Sequence, residues 1–170
     1  EMQTITHNYE ATKQRGVEVV HDRVASVDTQ AKKIQLAGGE ALTYDKVIVS
    51  PGIDFKWDEI EGASPDIADK TPHAWKAGEQ TLLLRDQIQA MPEDGTFIMV
   101  APPNPFRCPP GPYERASMVA HYMSKHKPKA ELLILDQKNK FSKQALFMKG
   151  WEENYGARIQ WIAKMDGGEA

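Results

Sequence analysis

The spacing of apolar positions changes partway along the chain. Through residues 1–55 they come as short β-type runs at 17–27, 33–36 and 42–49. The links between these runs, Asp28-Thr29-Gln30-Ala31-Lys32 and Ala37-Gly38-Gly39-Glu40, have hairpin length and turn chemistry. They predict a three-stranded antiparallel meander, ended at Ser50-Pro51-Gly52. Residues 8–15 ahead of it read as the tail of a helix stopped by Gly16. Residues 53–72, with Gly62, Pro65 and Pro72, form an irregular connection, so the predicted units are 1–55 and 56–170.

Beyond that connection the pattern lengthens. Residues 74–91 read as a helix with Leu82, Leu83, Leu84 and Ile88 clustered on one side, and His73 stands where it could cap that helix. A strand at 96–100, a helix at 113–125, a strand at 131–135, a helix capped by Ser142 and running to Tyr155, and a strand at 158–162 then alternate. Strand–helix–strand–helix–strand with short links predicts right-handed crossovers and a parallel sheet. The expected class is therefore α/β, a Rossmann-like βαβαβ unit beside a separate antiparallel meander.

Composition mostly excludes. Lys plus Arg is 21 and Asp plus Glu is 24, a net charge of −3, which leaves no basic footprint for nucleic acid. No apolar run approaches the ~18–20 residues of a membrane-spanning helix. Nothing at the start of the sequence reads as a secretion leader. One cysteine, Cys108, rules out a disulfide framework or a Cys-rich zinc site within these residues. His121 and His126, five apart, fall on different helix faces and make a poor metal pair.

The most informative segment is 101–112, Ala-Pro-Pro-Asn-Pro-Phe-Arg-Cys-Pro-Pro-Gly-Pro. A dinucleotide-binding unit places G-x-G-x-x-G here so that backbone N–H groups reach a pyrophosphate. Six of the chain's 11 prolines occupy the segment instead, and each lacks that N–H, so the loop is a poor NAD cradle. What it holds stiffly is a thiol. Arg107 and the N-terminus of the following helix both favour thiolate at Cys108, and Glu114 in the first turn is a carboxylate able to move protons nearby. The same residues also suit a cysteine that merely packs, with Glu114 serving the helix dipole. Tyr113, Tyr122 and the aromatics of 141–151 have core-like spacing, and Trp75 beside the Pro-rich connection is ambiguous.

Tyr44-Asp45-Lys46-Val47-Ile48-Val49-Ser50-Pro51-Gly52 resembles the strand and turn of flavoprotein reductases with two dinucleotide domains. Phe106-Arg107-Cys108-Pro109-Pro110-Gly111-Pro112-Tyr113-Glu114-Arg115-Ala116 narrows the resemblance to the flavoprotein subunit of flavocytochrome c sulfide dehydrogenase. Pro72-His73-Ala74-Trp75-Lys76-Ala77-Gly78-Glu79-Gln80, Phe141-Ser142-Lys143-Gln144 and Lys149-Gly150-Trp151-Glu152 are similar to the same family, in the same order.

That resemblance implies a periplasmic enzyme that oxidises hydrosulfide through FAD and a c-type cytochrome subunit. The meander would belong to the FAD domain, and the βαβ unit to an NAD-type domain without NAD. Cys108 would pair with a distant cysteine as a redox-active disulfide over the flavin. Hydrosulfide would open it to a persulfide, the freed thiolate would attack the flavin, and Glu114 would act as acid/base. Val24, Ser50, Pro51, Gly52 and Trp75 would adjoin FAD. The first Gly-rich fingerprint and the second cysteine of that pattern do not occur in these 170 residues. The chain therefore reads as an excised, inactive piece that does not retain FAD. The rival enzyme is a sulfide:quinone oxidoreductase, which a membrane-docking apolar C-terminal helix would favour. The rival of another class is a non-catalytic α/β interaction domain.

Overall fold

The computed structural model describes residues 3 and 6–168, and the chain divides into two compact units, Glu1–Ile53 and Asp54–Ala170. In the first, a short helix α1 (Glu10–Lys13) precedes strands β1 (Val24–Asp28), β2 (Lys33–Leu36) and β3 (Ala41–Thr43), an antiparallel sheet in the order β1-β2-β3. Asp28 Oδ1 accepts the N–H groups of Gln30 and Ala31, closing the first turn, and Lys32 takes a left-handed φ of 50° at its end. The second turn needs Gly39 at φ 96°. Among the described residues of this unit only Leu36 is buried.

Two strands are shorter than their apolar runs predict. Pairing with β2 runs from Val24↔Leu36 to Asp28↔Lys33 on one side, and ends at Lys33↔Thr43 on the other. Four residues of β2 cannot support the whole of 17–27 or 42–49, and strand propensity without a neighbouring strand makes no ladder. Val47, Ile48 and Val49 consequently lie exposed outside any strand, Ile48 at 91%.

The second unit is the α/β fold. Helix α2 (Glu79–Ala90) precedes β4 (Thr96–Ala101), α3 (Gly111–His126), β5 (Glu131–Asp136), α4 (Gln144–Tyr155) and β6 (Ile159–Ile162). The three strands form a parallel sheet in sequential order, in register from Thr96↔Glu131 to Ala101↔Asp136 and from Leu132↔Ile159 to Leu135↔Ile162. Alternate side chains Met99, Ala101, Leu132, Ile134 and Ile159 join Tyr113, Ala116, Val119, Ala120 and Met123 of α3 and Trp151 of α4 in one core. Phe141, between β5 and α4, stacks on Tyr113 at 3.7 Å between ring centres.

Two helix starts correct the sequence reading. The helix expected from residue 74 begins at Glu79, because Ala74 has a left-handed φ of 49° and Gly78 a φ of 133°. His73, six residues upstream, therefore does not cap it. Ser142 does not cap α4 either. Lys143, at φ 58°, stands before the helix, and its carbonyl accepts the N–H groups of Leu146 and Phe147. Among the described residues no helix is long and apolar enough to cross a membrane.

Candidate functional site

β4 ends at Ala101 and the chain crosses to α3 through the proline-rich loop, which includes a cis Asn104–Pro105 bond. Cys108 sits in it at φ 60°, a left-handed conformation that a non-glycine residue adopts at a cost of about 1–2 kcal/mol. The turn this produces lets the Cys108 carbonyl accept the N–H of Gly111 at 2.8 Å, and the Pro110 carbonyl accept those of Tyr113 and Glu114. Pro109 and Pro110 carry no N–H to leave unpaired in so tight a start, and Pro112 lies in the first turn of α3. Cys108, within this proline-rich turn, is free and exposed.

A second segment meets the thiol at Gly111. A Cβ placed on Gly111 would lie 3.3 Å from Cys108 Sγ and 3.4 Å from Cζ3 of Trp75, so the absent side chain is what lets sulfur and indole flank the helix start. Arg115, one turn along α3, holds the Trp75 segment in place. Its guanidinium lies 3.6 Å from the centre of the Trp75 ring and donates to the carbonyls of His73, at 2.5 Å, and Ala74, at 2.7 Å. This explains why helix α2 starts late. Burial lowers the Arg115 pKa, leaving the guanidinium charged.

The His73 ring packs on Phe55 at 4.1 Å and accepts the Trp75 N–H at Nδ1. Gln80 reaches back to accept the His73 N–H and donates to the Ala68 carbonyl. Burial, with the charges of Lys76 and Arg115 adding, holds the imidazole below its usual 6.5 and so keeps Nδ1 free to accept.

The predicted residues fall into three groups. Cys108 and Trp75 come together across Gly111. Glu114 is exposed on the first turn of α3, six residues after the cysteine. Val24, Ser50, Pro51 and Gly52 belong to the other compact unit: Val24 opens β1, and Ser50–Gly52 lie exposed beyond β3. Arg107, named as the cation nearest in sequence, is exposed, whereas the cation packed on Trp75 is Arg115.

Sequence reasoning missed a buried polar cluster beneath the loop. Asp136, fully buried at the end of β5, accepts from Tyr113 Oη at 2.6 Å and Trp161 Nε1 at 2.8 Å on one oxygen, and from Lys138 Nζ at 2.6 Å on the other. Burial first and then Asp136 raise the Tyr113 phenol far above its ordinary 10. The available signal was position, since Asp136 ends the second strand of the βαβ unit, where dinucleotide-binding relatives of the fold keep an acidic residue for a ribose. Among the described residues no cluster of three His, Cys, Asp or Glu side chains could hold a metal ion.

Residues 81–170 match the family described as sulfide dehydrogenase [flavocytochrome c] flavoprotein chain, central. The chain belongs to that family. It is thereby part of a flavoprotein oxidoreductase family, and its fold is that of flavoprotein reductases. The crystal structure of the ferredoxin reductase for the CYP199A2 system from Rhodopseudomonas palustris matches with a TM-score of 0.62 at 14% identity, over 93% of this chain and 35% of that one. The present chain thus spans about a third of that reductase's length. A match to the mitochondrial ATP synthase of Tetrahymena thermophila has a TM-score of 0.43 at 15% identity, over 81% of this chain and 36% of that one, too loose to bear on the fold.

FAD is the group that a flavoprotein family implies. Residues 47–52 lie exposed outside any strand, Val47, Ile48 and Val49 as an apolar run followed by Ser50, Pro51 and Gly52, and nothing lies within 4 Å of where a Cβ on Gly52 would stand. Val24 is likewise exposed, at 52%. The Gly-rich donors for the FAD pyrophosphate do not occur in these 170 residues.

Proposed function

We propose that these 170 residues are part of a periplasmic flavoprotein chain that oxidises hydrosulfide at Cys108 and delivers the electrons to a c-type cytochrome. The reading is carried by the placement of Cys108, an exposed thiol on a left-handed turn with its sulfur beside Trp75 across Gly111. A cysteine that served only packing would be buried rather than left exposed on a backbone turn that carries a conformational cost. Membership of the sulfide dehydrogenase family supports the substrate and the acceptor.

In this reading Cys108 is joined in a disulfide to a second cysteine of the full-length protein. Hydrosulfide attacks the sulfur of that second cysteine, a new S–S bond forms there as a persulfide, and Cys108 leaves as thiolate with the bonding electron pair. Glu114 is the acid/base that exchanges the sulfide's proton with solvent. Val24, Ser50, Pro51, Gly52 and Trp75 would hold FAD, which when bound supplies the two-electron acceptor that passes electrons singly to the cytochrome. Lacking the pyrophosphate donors, the 170 residues alone would neither retain FAD nor turn over. They should stay colourless after dialysis against the cofactor.

The test is hydrosulfide-dependent cytochrome c reduction by the FAD-loaded full-length protein. Cys108→Ser should abolish it, and Glu114→Gln should slow it roughly 10²-fold or more. Reduction of a quinone in place of the cytochrome would assign the chain to the quinone-linked enzymes. Full activity in Cys108→Ser would overturn the role given to Cys108, and no hydrosulfide-dependent reduction of either acceptor by the unaltered protein would leave an interaction domain.

A further inference from the structure

The loop carrying Cys108 is tied to the sheet at both ends by one carboxylate. Asp136 is 0% exposed, and each of its oxygens has two donors: Oδ2 takes Tyr113 Oη and Trp161 Nε1, and Oδ1 takes the Lys138 ammonium and, at 3.0 Å, the Lys138 backbone N–H. A carboxylate offers about four acceptor positions, and all are filled from within the protein. Two of these donors lead to the loop. Tyr113 sits in the first turn of α3, immediately after the loop. Lys138, 8% exposed, also donates from Nζ to the Pro102 carbonyl at 2.6 Å and stands 4.9 Å over the ring of Phe106. The segment is thereby gripped at Pro102, Phe106 and Tyr113, and Cys108 lies exposed between the grips.

A buried ion pair is a poor way to add stability. Desolvation consumes most of its attraction, and an apolar replacement of similar shape is often no worse. Its better-attested use is to specify one arrangement among several. The cleft beside it, about 210 Å³ and lined by Asn104, Phe106, Pro109, Lys138, Phe141 and Ser142, leaves the loop room to settle differently if those grips were absent.

We propose that Asp136 and Lys138 are positioning residues for the sulfur chemistry: together with Tyr113 they set the conformation in which the loop presents Cys108. The carboxylate at the strand end that meets a ribose in nucleotide-binding units of this fold is used here to aim a thiol. The inference rests on Cys108 being the reacting sulfur, but its test needs neither sulfide nor flavin.

The experiment is the rate of Cys108 alkylation by iodoacetamide in the 170-residue chain at fixed pH, with near-ultraviolet circular dichroism reporting the fold. Lys138→Met and Tyr113→Phe should each raise the rate several-fold while the spectrum is retained, because each releases one end of the loop. Ile159→Val, which trims the core without touching the loop, should leave the rate unchanged, separating positioning from general stability. If Lys138→Met does not fold, Tyr113→Phe, which keeps the ring, decides alone. Unchanged alkylation in the folded variants would mean that the prolines hold the loop unaided. A rise in Ile159→Val equal to that in Tyr113→Phe would make the effect one of stability. Either result overturns the proposal. A failure of sulfide-dependent activity in the full-length protein would leave this alkylation result standing, so the two readings fail separately.

Discussion

The two compact units solve the same problem differently. The α/β unit buries a core of its own: Tyr113, Met123, Leu132 and Ile134 are fully enclosed, and even the buried carboxylate of Asp136 has every acceptor position filled. The meander unit has well-formed turns and a ladder broken only by a register shift between Val24 and Ser26, yet all five residues of β1 are exposed, as are Val47, Ile48 and Val49. Hydrogen bonds give it a shape, with Leu36 alone buried among its described residues. A few strands become independently stable only with an apolar face to bury. The difference teaches that the meander's sequence is written for a surface it presents, and the α/β unit's for a volume it fills.

Four outcomes would sharpen or break that contrast. Trp151 is 3% exposed, packs on Phe141 and Phe147 and donates from Nε1 to Ser117. Trp151→Ala should therefore cost the α/β unit about 3–5 kcal/mol in urea unfolding followed by circular dichroism. A loss no larger than that of a surface change would mean the core is not shared across α3, α4 and the sheet.

Arg115→Ala comes next. It removes two hydrogen bonds from a charged donor and the stacking on Trp75, at a cost of roughly 1.5–3 kcal/mol. Limited proteolysis should show new cleavage around Ala74–Gly78. Protection equal to that of the unaltered chain would show that the left-handed residues fix the segment without the arginine.

His73 should give a smaller, pH-dependent effect. Its folded pKa lies below 6.5, so as pH falls the unfolded chain takes up the proton first. The stability it contributes is whole above pH 6.5 and is lost as pH falls through the lowered folded value. Replacing it, as in His73→Phe, should flatten the pH dependence of the unfolding midpoint in that window, and an unchanged slope would assign the dependence elsewhere.

The smallest effect is expected at Ile48, 91% exposed: Ile48→Ser should shift the stability of this chain by no more than about 0.5 kcal/mol. A larger loss would mean that the meander does have a core.

What the sequence disclosed follows the same division. The βαβαβ alternation from Thr96 to Ile162 was legible because each element meets its neighbours through short links, so pattern and packing coincide. The third meander strand was over-read, because the apolar run 42–49 states a need for cover without saying that the pairing with β2 ends at Lys33↔Thr43, where β2 begins. The start of α2 was hidden because its cause, Arg115 taking the carbonyls of His73 and Ala74, lies some 40 residues away. Cys108 and Trp75 were singled out separately, but nothing in either segment announced that Gly111 would let them face each other. The Asp136–Lys138 pair was the least legible: Asp-Gln-Lys-Asn-Lys reads as a solvated turn, and only a Tyr and a Trp from distant elements make it interior.

Peptide mass spectrometry of the FAD-loaded full-length protein, before and after anaerobic hydrosulfide, tests the central claim most directly. The account predicts Cys108 disulfide-linked to a second cysteine beforehand, and afterwards a free Cys108 with an extra sulfur atom on that cysteine. A Cys108 found as the same unlinked thiol before and after would contradict it.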